Sequence, residues 1–254
     1  MKRITSLFII FLTIISSCSK DEGSIGPSPI IPDHSWAPLN RTTSSIYLAA
    51  EDSIIIDTNS VELDFYRNTA YTCGFSGNYT FLVVEPINNP GAEAPLWVYL
   101  HGGGAGYFDE NREYKIGVRP TDGAPRNPNQ HNTEKTLERL RDDQLIYNTQ
   151  TNTGQIENST LTRRIMEGYR ILIVSMSDHD LHSGMGTPYL NNPHGGEVNG
   201  LQANMAAIDY TVENYPTTHV FAHGTSAGSI GAFTLAYAYN LEGVKVKAPM
   251  EPAL

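Results

Sequence analysis

The segment that most restricts how this chain can fold is Gly224-Thr225-Ser226-Ala227-Gly228. It lies between a short apolar stretch, His219 to Ala222, and a run of apolar and small residues, Ser226 to Asn240. The first reads as a buried strand and the second as a helix that neighbours can cover. A strand that turns into a helix this quickly needs a tight bend. Glycines at 224 and 228 meet that need, because the two backbones can then approach with no Cβ between them. Ser226 is left on the exposed tip at a helix N-terminus, where free N–H groups and the helix dipole favour a negative oxygen. That makes Ser226 a candidate nucleophile. The plainer alternative is a glycine-rich connection with an N-capping serine.

A second glycine run follows another strand. Leu96 to Leu100 (LWVYL) is continuously apolar, as expected for a strand covered on both faces. His101-Gly102-Gly103-Gly104 comes directly after it. Glycines let backbone N–H groups approach a developing alkoxide, so this run reads as half of an oxyanion hole. The predicted donors are Gly103 or Gly104, together with Ala227, the residue after the nucleophile. A plain strand-to-loop turn is the alternative.

The remaining pattern places these two segments in a sheet. Ser53 to Asp57, Val61 to Tyr66, Asn78 to Glu85, Arg170 to Ser175 and Val244 to Ala248 read as further strands, with a turn at Asn88 to Gly91. Thr133 to Tyr147, with Asn132 as N-cap, Ser159 to Glu167 and Asn199 to Asn214 read as helices. The last should bury Leu201, Met205, Ile208 and Val212. Strands alternating with helices predict an α/β fold: a mostly parallel sheet with helices on both faces and a site at the strands' C-terminal ends. Residues 102 to 132 read as a long irregular loop, placed to cover that site.

The ends and the composition set the context. Lys2 and Arg3 precede an apolar run, Leu7 to Ile15, too short to span a bilayer. Ile15-Ser16-Ser17-Cys18 then resembles a bacterial lipobox, which predicts residues 1–18 as a lipoprotein signal with Cys18 lipidated. Ser19-Lys20-Asp21-Glu22 resembles a surface-export signal. Residues 19–39, rich in Ser, Gly and Pro, read as a tether, leaving 40–254 as the domain. The expected location is the outer membrane, held by the lipid anchor and exposed at the cell surface. The formal net charge of −10 argues against nucleic acid as a partner, because little would neutralise phosphates. There are two cysteines, so lipidation of Cys18 leaves Cys73 unpartnered, and no cysteine-based metal site can form.

The order of motifs resembles a known family. YLHGGGAGY is similar to the oxyanion segment of pectin acetylesterases and Notum-type carboxylesterases, members of the α/β-hydrolase superfamily. GTSAGSIGAF is similar to their elbow. Ser177 to Gly184 (SDHDLHSG) resembles their Asp-x-His segment, and Asn199 to Asn204 resembles the opening of the helix before the elbow. The resemblance runs from residue 96 to about 250. It implies removal of small acyl groups, O-acetyl above all, from a polysaccharide or a small acylated molecule, without a cofactor. It also places Asp180 and His182 beside the site as candidate substrate contacts, with loop structure the other role open to His182.

A serine nucleophile needs a base and an orienting acid. In this superfamily both follow the serine. Here the last histidine is His223, and only Glu242 and Glu251 lie downstream as acids. The expectation is that the triad histidine and acid, and the last strands, lie beyond Leu254. An upstream base, His179 or His182, is the alternative. His179-x-x-His182 with Asp178 and Asp180 does not make a convincing metal set, because helical spacing has no meaning in a loop. The predicted activity is serine carboxylesterase. The alternatives are a peptidase or polyester depolymerase on the same fold, or a surface glycan-binding lipoprotein without catalysis.

Overall fold

A computed structural model describes residues 46–56, 59–72, 77–87, 89–108, 114–116, 134–144, 159–176, 179–188, 197–241 and 250–252. Cys18, the tether, Cys73, Asn132, Glu242 and the expected strand Val244 to Ala248 lie outside these residues. In chain order the elements are β1 (Ile46–Ile56), β2 (Asn59–Thr72), β3 (Asn78–Val84), β4 (Ala94–Leu100), β5 (Gly106–Phe108) and β6 (Tyr114–Ile116). Then come α1 (Leu137–Gln144), α2 (Ser159–Met166), β7 (Arg170–Val174), β8 (Thr187–Pro188), β9 (Glu197–Val198), α3 (Gly200–Asn214), β10 (Thr217–Gly224), α4 (Ala227–Leu241) and β11 (Met250–Pro252).

The main sheet has the order β1-β2-β3-β7-β4-β10-β11. β1, β2, β3 and β7 pair antiparallel in succession, whereas β7, β4, β10 and β11 pair parallel. Five of the seven strands therefore share one direction, and β1 and β3 oppose them. The first two strands are longer than their β-branched cores suggest. Residues such as Glu51 and Asp52 are poor strand formers, yet pairing with Leu63 and Asp64 draws them into the ladder, with a register shift between Leu48 and Ala50.

Alternation along the strands builds two cores. Leu96, Val98 and Leu100 of β4 join Phe81, Val83, Leu172 and Val174 on the face covered by α3 and α4, through Leu201, Met205, Ile208, Leu235 and Ala238. Trp97 and Tyr99 join Leu63, Leu82, Ile171 and Ile173 on the face covered by α1 and α2, through Leu140, Leu161 and Ile165. Each fully buried leucine contributes roughly 1.5–3 kcal/mol. Of the four residues expected to be buried on α3, Leu201, Met205 and Ile208 are, and Val212 is partly so. This is the α/β sheet with helices on both faces that the sequence pattern implies.

Two local features differ from the expectation. α1 begins at Leu137, not Thr133. Thr136 caps it, its Oγ1 accepting the N–H of Arg139 at 3.4 Å, while Glu134 leaves the helix to accept the N–H of Asn78 and pair with Arg67. The stretch from Gly106 is not wholly irregular, because β5 and β6 form an antiparallel pair from aromatic and β-branched residues. Glu251, one of the two downstream acids, lies within β11, opposite Phe221.

Arg170, the first residue of β7, is completely buried. Its Nε and one terminal nitrogen donate to Glu85 Oε2 at 3.1 and 3.0 Å. The guanidinium also donates to the carbonyls of Pro216 and Ala92, both at 2.9 Å, and lies over the Tyr215 ring. One side chain thus joins β7 to the loops that enter β4 and β10. Arg170→Ala should lower unfolding stability by about 3–5 kcal/mol, because it strands Glu85 without its charge partner. Urea denaturation of the variant against the wild type measures this.

Candidate active site

In the parallel pairing of β4 with β10, Leu100 stands opposite Gly224 and Tyr99 opposite His223. The two strands therefore end level, and the two glycine segments emerge side by side at their C-terminal ends, where open α/β sheets form sites. The N–H of Thr225 donates to the carbonyl of Leu100 at 3.1 Å and ties the two exits together.

Ser226 has φ +55°, in the left-handed region that a serine rarely occupies. Such a conformation costs about 1–3 kcal/mol and persists only where its surroundings enforce it. Here they do. The N–H groups of Gly228 and Ser229 donate to the carbonyls of Thr225 and Ser226 at 3.0 Å, and Ser229 Oγ donates to the carbonyl of Gly224 at 2.9 Å. A Cβ on Gly224 would collide with the backbone of Gly228, and one on Gly228 with the carbonyl of Leu100. Both glycines are thus required by close backbone approach. Ser226 is exposed, as a tip residue should be. Ala227 opens α4, so its N–H belongs to the first helical turn and has no carbonyl within the helix to bond.

The other glycine run lies against this turn. A Cβ on Gly102 would fall 2.9 Å from Ser226 Cβ and 3.6 Å from Ser226 Oγ. Gly104 has φ +86°. Gly103 lies beside Met176 and the ring of His179. The structure therefore brings Ser226, Ala227 and the glycine run together at one sheet edge.

Two histidines at this edge, His182 and His101, are hydrogen-bonded within the protein. His182 is fully buried. Its Nε2–H donates to the carbonyl of His101 at 3.0 Å, and its Nδ1 accepts from Asn204 Nδ2 at 3.2 Å. Asn204 Oδ1 in turn accepts the hydroxyl of Tyr79. His101 Nε2 accepts the N–H of Met176 at 3.2 Å, and its Nδ1–H donates to the carbonyl of Gly102 at 2.7 Å. Asp180 accepts three backbone N–H groups, from His182 and Gly184 at 2.9 Å and from Gly200 at 2.8 Å. The side chains of Asp180 and His182 thus anchor the loop and the start of α3. The Asp180 carboxylate stitches the loop to the start of α3, which carries Asn204 one turn later. His223 packs between Trp97 and Tyr99, its ring centroid 5.4 and 5.5 Å from theirs. Among the described residues, no imidazole hydrogen-bonds to Ser226 Oγ.

Burial pushes His182 down to about 4, against the opposing pull of its bonds to His101 and Asn204. Burial pushes the Asp180 carboxyl up to about 6, although its three N–H donors act the other way. His223 is lowered by burial and by Arg164 nearby.

His101, Asn204, Tyr79 and Met176 were not singled out as functional residues by the sequence. Asn204 sat within a motif-like helix opening, but its partners are remote in the chain and nothing local marks them.

No protein-family model matches this chain, and no curated protein matches it. Among solved structures, a thermostable esterase from Pseudomonas putida aligns over 83% of this chain and 43% of its own, at 14% identity and a TM-score of 0.33. A glucuronoyl esterase from Solibacter usitatus aligns over 75% of this chain and 47% of its own, at 10% identity and a TM-score of 0.33. This chain thus spans less than half the length of either. The α/β fold itself rests on the mostly parallel strand order and on the helices that cover both faces of the sheet.

Two outcomes follow from this geometry. Gly228→Ala should abolish or strongly destabilise the folded state, since its methyl has no room beside the Leu100 carbonyl; circular dichroism and melting temperature report it. The second concerns pH. A histidine whose folded pKa is about 4, against 6.5 unfolded, adds stability that is full above about pH 6.5 and is lost as the pH falls toward 4. Asp180, raised from 3.8 to about 6, acts in the opposite sense across that window. The melting-temperature advantage of the wild type over His182→Gln should therefore shrink as the pH is lowered from 7 to 4.5.

Proposed function

We propose that this chain carries the nucleophile and oxyanion hole of a serine carboxylesterase. The observation that supports it most is Ser226 at φ +55° on an exposed strand-to-helix tip, level with a second glycine run. A strained backbone conformation of this kind costs stability and gathers at reactive sites.

In this reading Ser226 Oγ attacks the acyl carbonyl while its proton passes to a base. The N–H groups of Gly103 or Gly104 and of Ala227 stabilise the oxyanion. Collapse of the tetrahedral intermediate expels the alcohol and leaves an acyl-serine. Water then hydrolyses the acyl-serine and restores Ser226. Because no imidazole among the described residues hydrogen-bonds to Ser226 Oγ, and His101 and His182 are engaged elsewhere, the triad histidine and its acid are assigned to sequence outside the described residues.

The pectin acetylesterase-like order of motifs supports O-acetyl esters, on a polysaccharide or a small molecule, as the substrate class. Cys18 in its lipobox-like setting supports an outer-membrane lipoprotein, with residues 19–39 as the tether of a surface-exposed catalytic domain.

For the full-length product, p-nitrophenyl acetate turnover and fluorophosphonate labelling should both fall by at least about 10³-fold in Ser226→Ala. Turnover that survives this substitution sinks the nucleophile assignment. An unlabelled wild-type protein that still binds immobilised polysaccharide would favour the glycan-binding alternative.

A further inference from the structure

A run of glycines is a poor scaffold for an oxyanion hole. Glycine has the widest backbone freedom of any residue, and a donor that wanders must be ordered again at each turnover. Something outside the run has to hold it. The hydrogen bonds onto it show what does.

In a planar trans peptide, the C=O of one residue and the N–H of the next point in opposite directions. Fixing the carbonyl therefore fixes the N–H. His182 Nε2–H holds the His101 carbonyl at 3.0 Å, and so sets the peptide plane that carries the Gly102 N–H. His101 Nδ1–H holds the Gly102 carbonyl at 2.7 Å, and so sets the next plane, which carries the Gly103 N–H. Two successive peptides of the run are clamped by two imidazoles, whose rings meet edge to face at 5.6 Å.

Each imidazole is itself fixed in one tautomer. Asn204 Nδ2 donates to His182 Nδ1, which leaves the His182 proton on Nε2. Tyr79 fixes the Asn204 amide in turn by donating to its oxygen. The Met176 N–H donates to His101 Nε2, which leaves that proton on Nδ1. Gly231 on α4 leaves the room His182 occupies, because a Cβ there would fall 2.5 Å from His182 Cβ. Asp180 holds the backbone of the same loop against α3, keeping His182 within reach of Asn204.

We propose that His182, oriented by Asn204 and Tyr79, is a positioning residue that acts with His101 to preorganise the glycine segment of the oxyanion hole. It neither takes a proton from Ser226 nor touches substrate. The proposal rests on the esterase reading of the site.

The test has two arms on the full-length product. In the first, imidazole ¹⁵N NMR of the wild type reads the tautomers directly, with His182→Gln and His101→Gln used to assign the signals. The expected result is a neutral Nε2–H form for His182 and a neutral Nδ1–H form for His101. The opposite tautomer at either ring, or rapid averaging between the two, overturns the clamp. This arm requires no turnover, so it stands apart from any failure of Ser226→Ala to lose activity.

In the second arm, kcat and KM for p-nitrophenyl acetate are compared. His182→Leu cannot donate to the His101 carbonyl and should lower kcat by about 10²-fold with KM within about twofold, as displacement of an aligned group does. His182→Gln keeps an N–H donor on a side chain of similar reach and should recover most of that loss. A folded His182→Leu protein with wild-type kcat overturns the proposal. So does a His182→Gln protein that is folded yet as impaired as His182→Leu.

Discussion

The register between β4 and β10 is the constraint from which the candidate site follows. Because Leu100 faces Gly224, both strands run out at the same level. Each then delivers a glycine-rich segment to the same point. The Leu100 carbonyl accepts the Thr225 N–H, and the same carbonyl lies where a Cβ of residue 228 would go. Strand pairing, turn geometry and helix packing thus meet at a single peptide group. A shift of one residue in this pairing would turn Leu96, Val98 and Leu100 out of the core they share with α3 and α4, so burial on both faces of the sheet enforces the register.

Rigidity at the site and freedom of the backbone are in tension. The bend needs Gly224 and Gly228, and the facing run needs Gly102 beside Ser226. Glycines allow close approach but supply no side chains to hold position. The holding groups come from elsewhere: His182 on the loop after β7, Asn204 on α3, and Tyr79 on β3. At the other end of the sheet, Arg170 and Glu85 bind the entries to the strands in a similar way, through a buried charged pair with its remaining donors on carbonyls. Stability and site geometry therefore each draw on a small set of buried polar contacts, one at either end of the sheet, and such a set is strong only when every member is satisfied.

Much of this was legible in local pattern. The elbow showed itself through two glycines four residues apart between an apolar strand and an apolar helix. The continuous run LWVYL marked a strand buried on both faces, and the spacing of Leu201, Met205 and Ile208 marked the inner face of α3. Such signals are carried by neighbours in the chain, since side-chain direction repeats every two residues in a strand and about every 3.6 in a helix.

The sequence by itself thus determined the α/β class, the strand-to-helix turn and the exposed serine at its tip, because each depends on residues a few positions apart. Only the tertiary structure decided what Asp180, His182 and Arg170 do. A histidine and an aspartate in a motif-like loop read equally as loop structure or as substrate contacts, and nothing near Arg170 in the sequence names its partner. Asp180 finds its partners within 20 residues, but those of the other groups lie far off: His101 is 81 residues from His182, Tyr79 is 125 from Asn204, and Glu85 is 85 from Arg170. Which buried polar group meets which is settled by the folding of the whole sheet, and a buried group must find a partner wherever in the chain one lies.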